Sequence, residues 1–290
     1  MNQFTIRDIE NLSGIKAHTW RIWEQRYAIG IAQRRESNHR FFDNENLKHI
    51  LRIASLYHSG VKISKIATLG PEEIKEMALS MLPKENGEFY INKLIESSLD
   101  LDEEKFEQIF NDALTEMGIE ETILKVIYPF QEKIGVLWLT DHLIPAQEHF
   151  TSNIIRQKLT IAIDSIPFFK NTTKKEIVLF TPSYERHEIP LLFIHFLLKN
   201  NGNKVIYFGS NTSLESIEIY GDCNSFSYLL FHLVTNLINI SPDDYLQKIS
   251  KSFPEKQIIM AGLQVQQITN IPDNVRLLKS IDEIVDFAYE

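Results

Sequence analysis

The sequence predicts a multidomain chain of α and α/β parts: an N-terminal winged helix-turn-helix, a middle helical bundle and a C-terminal doubly wound, flavodoxin-like parallel sheet. Three observations predict this. Two short helical patterns meet at Ser13-Gly14 and are followed by a basic, aromatic stretch with no helical period. Residues 71 to 165 carry only helical patterns. From residue 176 short apolar strands alternate with amphipathic helices, the pattern of a parallel sheet covered on both faces. The expected parts are residues 1–70, 71–170 and 174–290.

The elements follow in order. Residues 4–12 predict a short helix, ended where Gly14 can take a positive φ. A second helix is expected from Lys16 to Tyr27, and two short helices joined by a glycine-containing turn make a helix-turn-helix. Residues 28–42 hold turn formers, cations and aromatics and predict a small hairpin, or wing. Asp43 then caps a helix over 44–59, with Leu47, Ile50, Leu51, Ala54 and Leu56 near one stripe. One more short helix fits 62–69, closed by Gly70-Pro71. Helices over 72–82, 87–98, 102–116, 119–136 and 141–164 are separated by Pro83, Asn86-Gly87, Asp100 and Gly118. Residues 166–175 read as a linker. Strands are expected at 176–181, 204–209, 227–234, 257–262 and 275–280, with helices at 187–201, 213–220, 240–253 and 281–290.

Composition narrows the class. Of 290 residues, 43% are hydrophobic and 24% charged, an ordinary globular balance. No run approaches the ~20 apolar residues that span a bilayer, and the first residues lack the basic-then-apolar pattern of a signal peptide. Cys223 is the only cysteine, which excludes an intrachain disulfide. A cytoplasmic protein with no membrane partner is expected. The net charge of −9 is uneven: residues 1–70 hold 11 Lys and Arg against 6 Asp and Glu, and the remainder 19 against 33. A basic head on an acidic body suggests that only the head meets a polyanion.

The second helix carries Lys16, His18, Thr19, Arg21 and Arg26 between Trp20, Ile22, Trp23 and Tyr27. One face can pack while the other offers donors to base edges in a major groove. Trp20 and Trp23 are expected in the core. Arg34, Arg35, His39 and Arg40 of the wing suit phosphates, which give affinity and register rather than sequence. Residues 4–69 resemble the DNA-binding domain of the MerR family through the Thr-Ile start, the Ser-Gly turn, Trp-Glu-Gln-Arg-Tyr at the helix end, the Arg-Phe-Phe wing and Gly-Val-Lys-Ile-Ser-Lys-Ile. The resemblance implies a dimer on double-stranded DNA at an inverted-repeat promoter site. Two features depart from the pattern. Ser37-Asn38 stand where glycine is usual in the wing, and Gly70-Pro71 where many members continue into a dimerising coiled coil.

Behind the head, Trp138 is followed by Glu148-His149, and Glu185-Arg186-His187 follows the first strand. Trp-x9-Glu-His resembles the cap of the cobalamin-sensing MerR proteins, the light-responsive repressors of carotenoid genes. That resemblance implies that Trp138, Glu148 and His149 line the upper face of cobalamin. It further implies that His187 ligates cobalt from below, with Glu185 orienting its ring. Adenosylcobalamin is one form such a site would take. Three residues depart from the pattern: Pro190 where a glycine is expected, Phe231 where a serine is usual, and Ala261 in place of the first glycine of a pair near the nucleotide tail.

The expected function is transcription regulation through DNA, without catalysis, by a homodimer or tetramer that senses cobalamin between the helical cap and the sheet. Two alternatives stand beside it. One is the same regulator with a sheet that binds no cobalamin and serves protein contacts or another ligand. The other is a cobalamin-dependent methyltransferase module, disfavoured because no catalytic domain follows the sheet and a DNA-reading head precedes it.

Overall fold

The computed structural model describes residues 4–34, 40–81, 87–139, 145–167, 175–235, 237 and 240–290, without the side chains of 34, 79–81, 136–139 and 145. It divides into two compact units, Met1–Ser152 and Asn153–Glu290.

In the first unit, α1 (Ile6–Ser13) starts from a capping box: Thr5 Oγ1 accepts from the Asp8 N–H while Asp8 takes the Thr5 N–H at 2.6 Å. Gly14 ends it at φ 69°, the left-handed conformation the Ser-Gly turn requires. Then come α2 (Ala17–Tyr27), the antiparallel wing strands β1 (Gln33–Arg34) and β2 (Arg40–Phe41), and α3 (Asn44–His58), capped by Asp43. Phe4 and Phe42 exchange backbone hydrogen bonds of 2.7 and 2.9 Å, fastening the chain start to the wing base. Helix α4 (Ile63–Ile66) is brief. Helix α5 (Pro71–Met81) begins at the proline and packs on α3, with Ile74 and Ala78 buried.

The bundle continues with α6 (Gly87–Asp100), α7 (Glu103–Thr122), α8 (Tyr128–Leu139) and α9 (Pro145–Asp164), the last crossing into the second unit. The sequence predicts a break at Gly118. The structure bears this out: Gly118 takes the non-helical φ 77°, ψ 172° between two helical stretches of α7, and a π-helical turn over Ile123–Ile127 then leads directly into α8. A positive φ comes easily to glycine, which turns the chain there.

The second unit holds strands β3 (Glu176–Pro182), β4 (Lys204–Thr212), β5 (Tyr228–His232), β6 (Gln257–Ala261) and β7 (Val275–Leu278), all parallel, in the order β4-β3-β5-β6-β7. Helices α10 (Glu188–Asn200), α11 (Leu214–Cys223), α12 (Pro242–Ser252) and α13 (Ile281–Tyr289) connect or follow them. Val178, Phe180, Leu229, Phe231, Ile258 and Met260 fill one sheet face together with α11 and α12. Burial on both faces is why these strands read as unbroken apolar runs. The chain reverses direction across the sheet between β3 and β5. Their C-terminal loops therefore diverge and open the crevice where such sheets bind ligands.

Candidate functional site

Helix α2 carries the reading face of the head. Trp20 and Trp23 are buried, packed edge to face with centroids 5.0 Å apart, and Trp20 Nε1 donates to Ser13 Oγ at 3.0 Å. The Ser-Gly turn thus anchors the helix through its largest side chain. Of the expected contact residues, Lys16, His18, Arg21 and Arg26 are exposed and Thr19 and Arg40 half-buried. Lys16 caps α2 rather than lying within it, and Glu10 holds its ammonium at 2.9 Å. Arg40 reaches back to Glu24 on α2 at 3.2 Å, tying the wing to the reading helix. Arg34 sits in β1; its side chain lies outside the described residues, as do Arg35 and His39 altogether.

Ile22 is 50% exposed on the same helix. Its place between Trp20 and Trp23 predicts a core residue, because apolar residues one or two apart look alike until the packing direction is known. An exposed branched apolar group there suits a thymine methyl.

The second constellation sits after β3, at the switch point. Glu185 is fully buried and its carboxylate is saturated. Oε1 takes the His187 N–H at 2.9 Å and lies 2.6 Å from His187 Nδ1. Oε2 takes the backbone N–H groups of Val234 and Thr235, each at 2.8 Å, and the Thr235 hydroxyl at 3.1 Å. Burial alone would push this carboxyl up. The bond from His187 and the N–H groups of Thr235, His187 and Val234 outweigh it and hold Glu185 far below the usual carboxylate range. Glu185 is therefore an anion, and it joins the loop after β3 to the loop after β5. His187 caps α10 with its side chain 54% exposed. Since Glu185 occupies Nδ1, metal ligation would fall to Nε2.

The supporting backbone is strained. Tyr184 adopts φ 73° and Asn211 φ 60°. Asn211 Oδ1 accepts the Tyr184 N–H at 2.7 Å, and the Asn211 N–H donates to the Glu185 carbonyl at 3.1 Å. Left-handed non-glycine residues persist only where surroundings over-determine them, and such residues cluster at functional loops. Tyr184 and, in the turn after β6, Leu263 leave large apolar surfaces exposed, 63% and 67%. These apolar surfaces and the carboxylate-oriented imidazole fit a flat, metal-bearing macrocycle.

His232, the last residue of β5, is buried, and burial pushes its imidazole down to about 4. Neither Thr235 nor His232 was legible as part of the site, because nothing in the sequence says which strand lies beside β3.

The three departures from the resembled pattern can now be placed. Pro190 occupies the first turn of α10, where its ring costs no hydrogen bond. Phe231 and Ala261 are fully buried, and Phe231 lies tilted against Phe180 at 5.8 Å and edge to face with Tyr245 at 5.6 Å. Aromatic rings thus fill the sheet interior at that strand position.

Of the expected cap residues, Trp138 lies in the last turn of α8, with its side chain outside the described residues. Glu148 and His149 stand in the first turn of α9. They pair at 2.8 Å, and Ser152 Oγ donates to Glu148 at 2.6 Å.

Comparison with known proteins assigns the class. Residues 4–73 match the MerR HTH family regulatory protein model, and residues 90–163 match the B12 binding domain model. These two matches and the relatives that follow support a cobalamin-sensing transcriptional regulator with a MerR-type helix-turn-helix head. It is homologous to two repressors of Myxococcus xanthus. The HTH-type transcriptional repressor CarA is 27% identical over 73% of this chain and 70% of its own length. The HTH-type transcriptional repressor CarH is 22% identical over 74% and 73%. The Methanosarcina barkeri monomethylamine corrinoid protein shares the fold, with a TM-score of 0.56 at 12% identity, over 69% of this chain and 97% of that one. Among the described residues no helix is long and apolar enough to cross a membrane.

Proposed function

We propose that this regulator binds an inverted-repeat promoter site as a homodimer or tetramer, represses transcription there without catalysing a reaction, and takes cobalamin as its signal. Three functional parts, residues 1–70, 71–170 and 174–290, divide the work. Lys16, His18, Thr19, Arg21 and Arg26 address bases, while Arg34, Arg35, His39 and Arg40 of the wing address phosphates.

His187 is the cobalt ligand, Glu185 its positioning residue, and Trp138, Glu148 and His149 face the upper side of the ring. The observation that carries this is the saturated Glu185 carboxylate holding His187 Nδ1 at the switch point of the sheet. That arrangement fixes the tautomer with Nε2 directed to a metal. Bound cobalamin would supply a cobalt centre open to ligand exchange, and His187, oriented by Glu185, would hold it. Gly70-Pro71 leads into α5, which packs on α3, and this supports assembly through residues 71–290.

The test is the visible spectrum of the full-length protein after incubation with adenosylcobalamin and desalting. A stoichiometric spectrum is expected, with its histidine-ligated character lost in His187→Ala. Colourless wild-type protein with both adenosyl- and methylcobalamin would remove the cofactor assignment and leave the head untouched. Light scattering on the full chain checks assembly; a monomer with and without cobalamin would contradict it.

A further inference from the structure

His187 is bracketed by two acids. Glu185 holds its ring, and Glu188, the next residue in the chain, opens the first turn of α10. The Glu188 carboxylate is itself held from two other elements of the second unit. Its Oε2 lies 3.1 Å from Arg156 Nε of α9, and its Oε1 accepts the Tyr207 hydroxyl of β4 at 3.2 Å. Both holders are braced. Arg156 Nη1 donates to Asn153 Oδ1 at 3.0 Å on its own helix. The Tyr207 ring stacks on His195 of α10, with centroids 4.7 Å and planes 13° apart. The strand that supplies Tyr207 is irregular at this point. Leu179 of β3 pairs with Tyr207 but Phe180 pairs with Gly209, so Phe208 is an extra residue in β4, and Gly209 takes φ 78°. Bulges are rare in parallel pairs, and they gather beside functional sites, where they re-aim a side chain.

Adhesion of α10 to the sheet does not need this clasp. The helix packs on β3 and β4 and buries Leu191, Phe193, Ile194 and Leu197 among other apolar residues. A half-exposed ion pair adds little to that burial. What the clasp adds is geometry, because it acts on the one turn that apolar packing leaves least constrained, next to an imidazole whose direction matters. We infer that Arg156 and Tyr207 are positioning residues for His187: acting through Glu188, they fix the start of α10 and with it the backbone from which the imidazole is presented. This rests on the reading of His187 as the cobalt ligand. Glu185 sets the tautomer of the ring, and Glu188 sets the point from which the ring projects.

The test uses full-length protein with nitrogen-15-labelled histidine, first without and then with adenosylcobalamin. In the cobalamin-free protein the ring nitrogen shifts of His187 report its tautomer. Arg156→Gln removes one holder, and Tyr207→Phe removes only the hydroxyl while keeping the ring on His195. Each is expected to move the His187 shifts toward a mixture of tautomers, while those of His58 in the head stay as in wild type. With cobalamin, each variant should bind on the order of threefold more weakly, less than the roughly 10- to 100-fold of a partner bonded to the ligand itself. Arg156→Lys, which keeps the charge beside Glu188, should recover most of that loss. In a His187→Ala background Arg156→Gln should cost nothing further, since the route through the imidazole is gone. Unmoved His187 shifts in both variants, or a loss of the same size in the His187→Ala background, would overturn the inference. A wild type that binds no cobalamin removes the assignment of cobalt to His187, and the cobalamin-free shifts still decide whether Arg156 and Tyr207 position its ring.

Discussion

Two residues apart in sequence, Glu185 and His187 divide one task. The carboxylate is buried and saturated, and the imidazole half-exposed and oriented. Removing the charge without the shape isolates the carboxylate's part. Glu185→Gln is expected to keep the fold, to weaken cobalamin binding 10- to 100-fold, the usual effect of losing a carboxylate behind a metal-bound histidine, and to broaden the ligated spectrum. Unchanged affinity and spectrum would mean that Glu185 serves only to join the loops after β3 and β5. Because neutral imidazole is the ligating form, cobalamin binding should fall on acidification, and His187→Ala should abolish that pH dependence.

In the head, single elements depend on single polar groups. Ser13 accepts from Trp20 Nε1 at 3.0 Å and from the Ile15 N–H at 3.2 Å, and its carbonyl lies 2.9 Å from His58 Nε2. Ser13→Ala leaves a buried indole N–H without its partner. It is expected to destabilise the head by about 1–3 kcal/mol, read by urea unfolding, while the salt slope of DNA binding is unchanged. The reading helix and the wing separate in the opposite experiment. Arg21→Ala or Arg26→Ala should reduce discrimination between operator and unrelated duplex. Arg34→Ala or Arg35→Ala should weaken binding to both and lower the salt slope by about 1. A gel-shift titration in which all four bind as wild type would remove the assignment of α2 and the wing to DNA.

Across the whole molecule, acid sensitivity has a defined origin. His232 is held down to about 4 by burial, against an ordinary value of about 6.5, so below that value the unfolded chain takes a proton that the fold refuses. Stability should therefore decline as pH falls from about 6.5 to about 4, by on the order of 2–3 kcal/mol from this group. The depressed Glu185 adds a loss that begins lower, as pH falls below the ordinary carboxylate range. Denaturant unfolding of wild type and His232→Gln at several pH values checks this, the variant being expected to show the shallower decline. An identical slope would place the sensitivity elsewhere.

The order of elements, the helix-turn-helix with its Gly14 turn and the strands of the parallel sheet follow from local sequence, while the partnership of Glu185 with His187 came from the resemblance. Periodicity and turn chemistry act over distances the chain itself sets. The exposure of Ile22, the attachment of Arg40 to Glu24 and the Val234-Thr235 clasp on Glu185 do not. Each depends on which segment lies beside which. Long-range packing decides those neighbours, and with them which of the legible residues can act together.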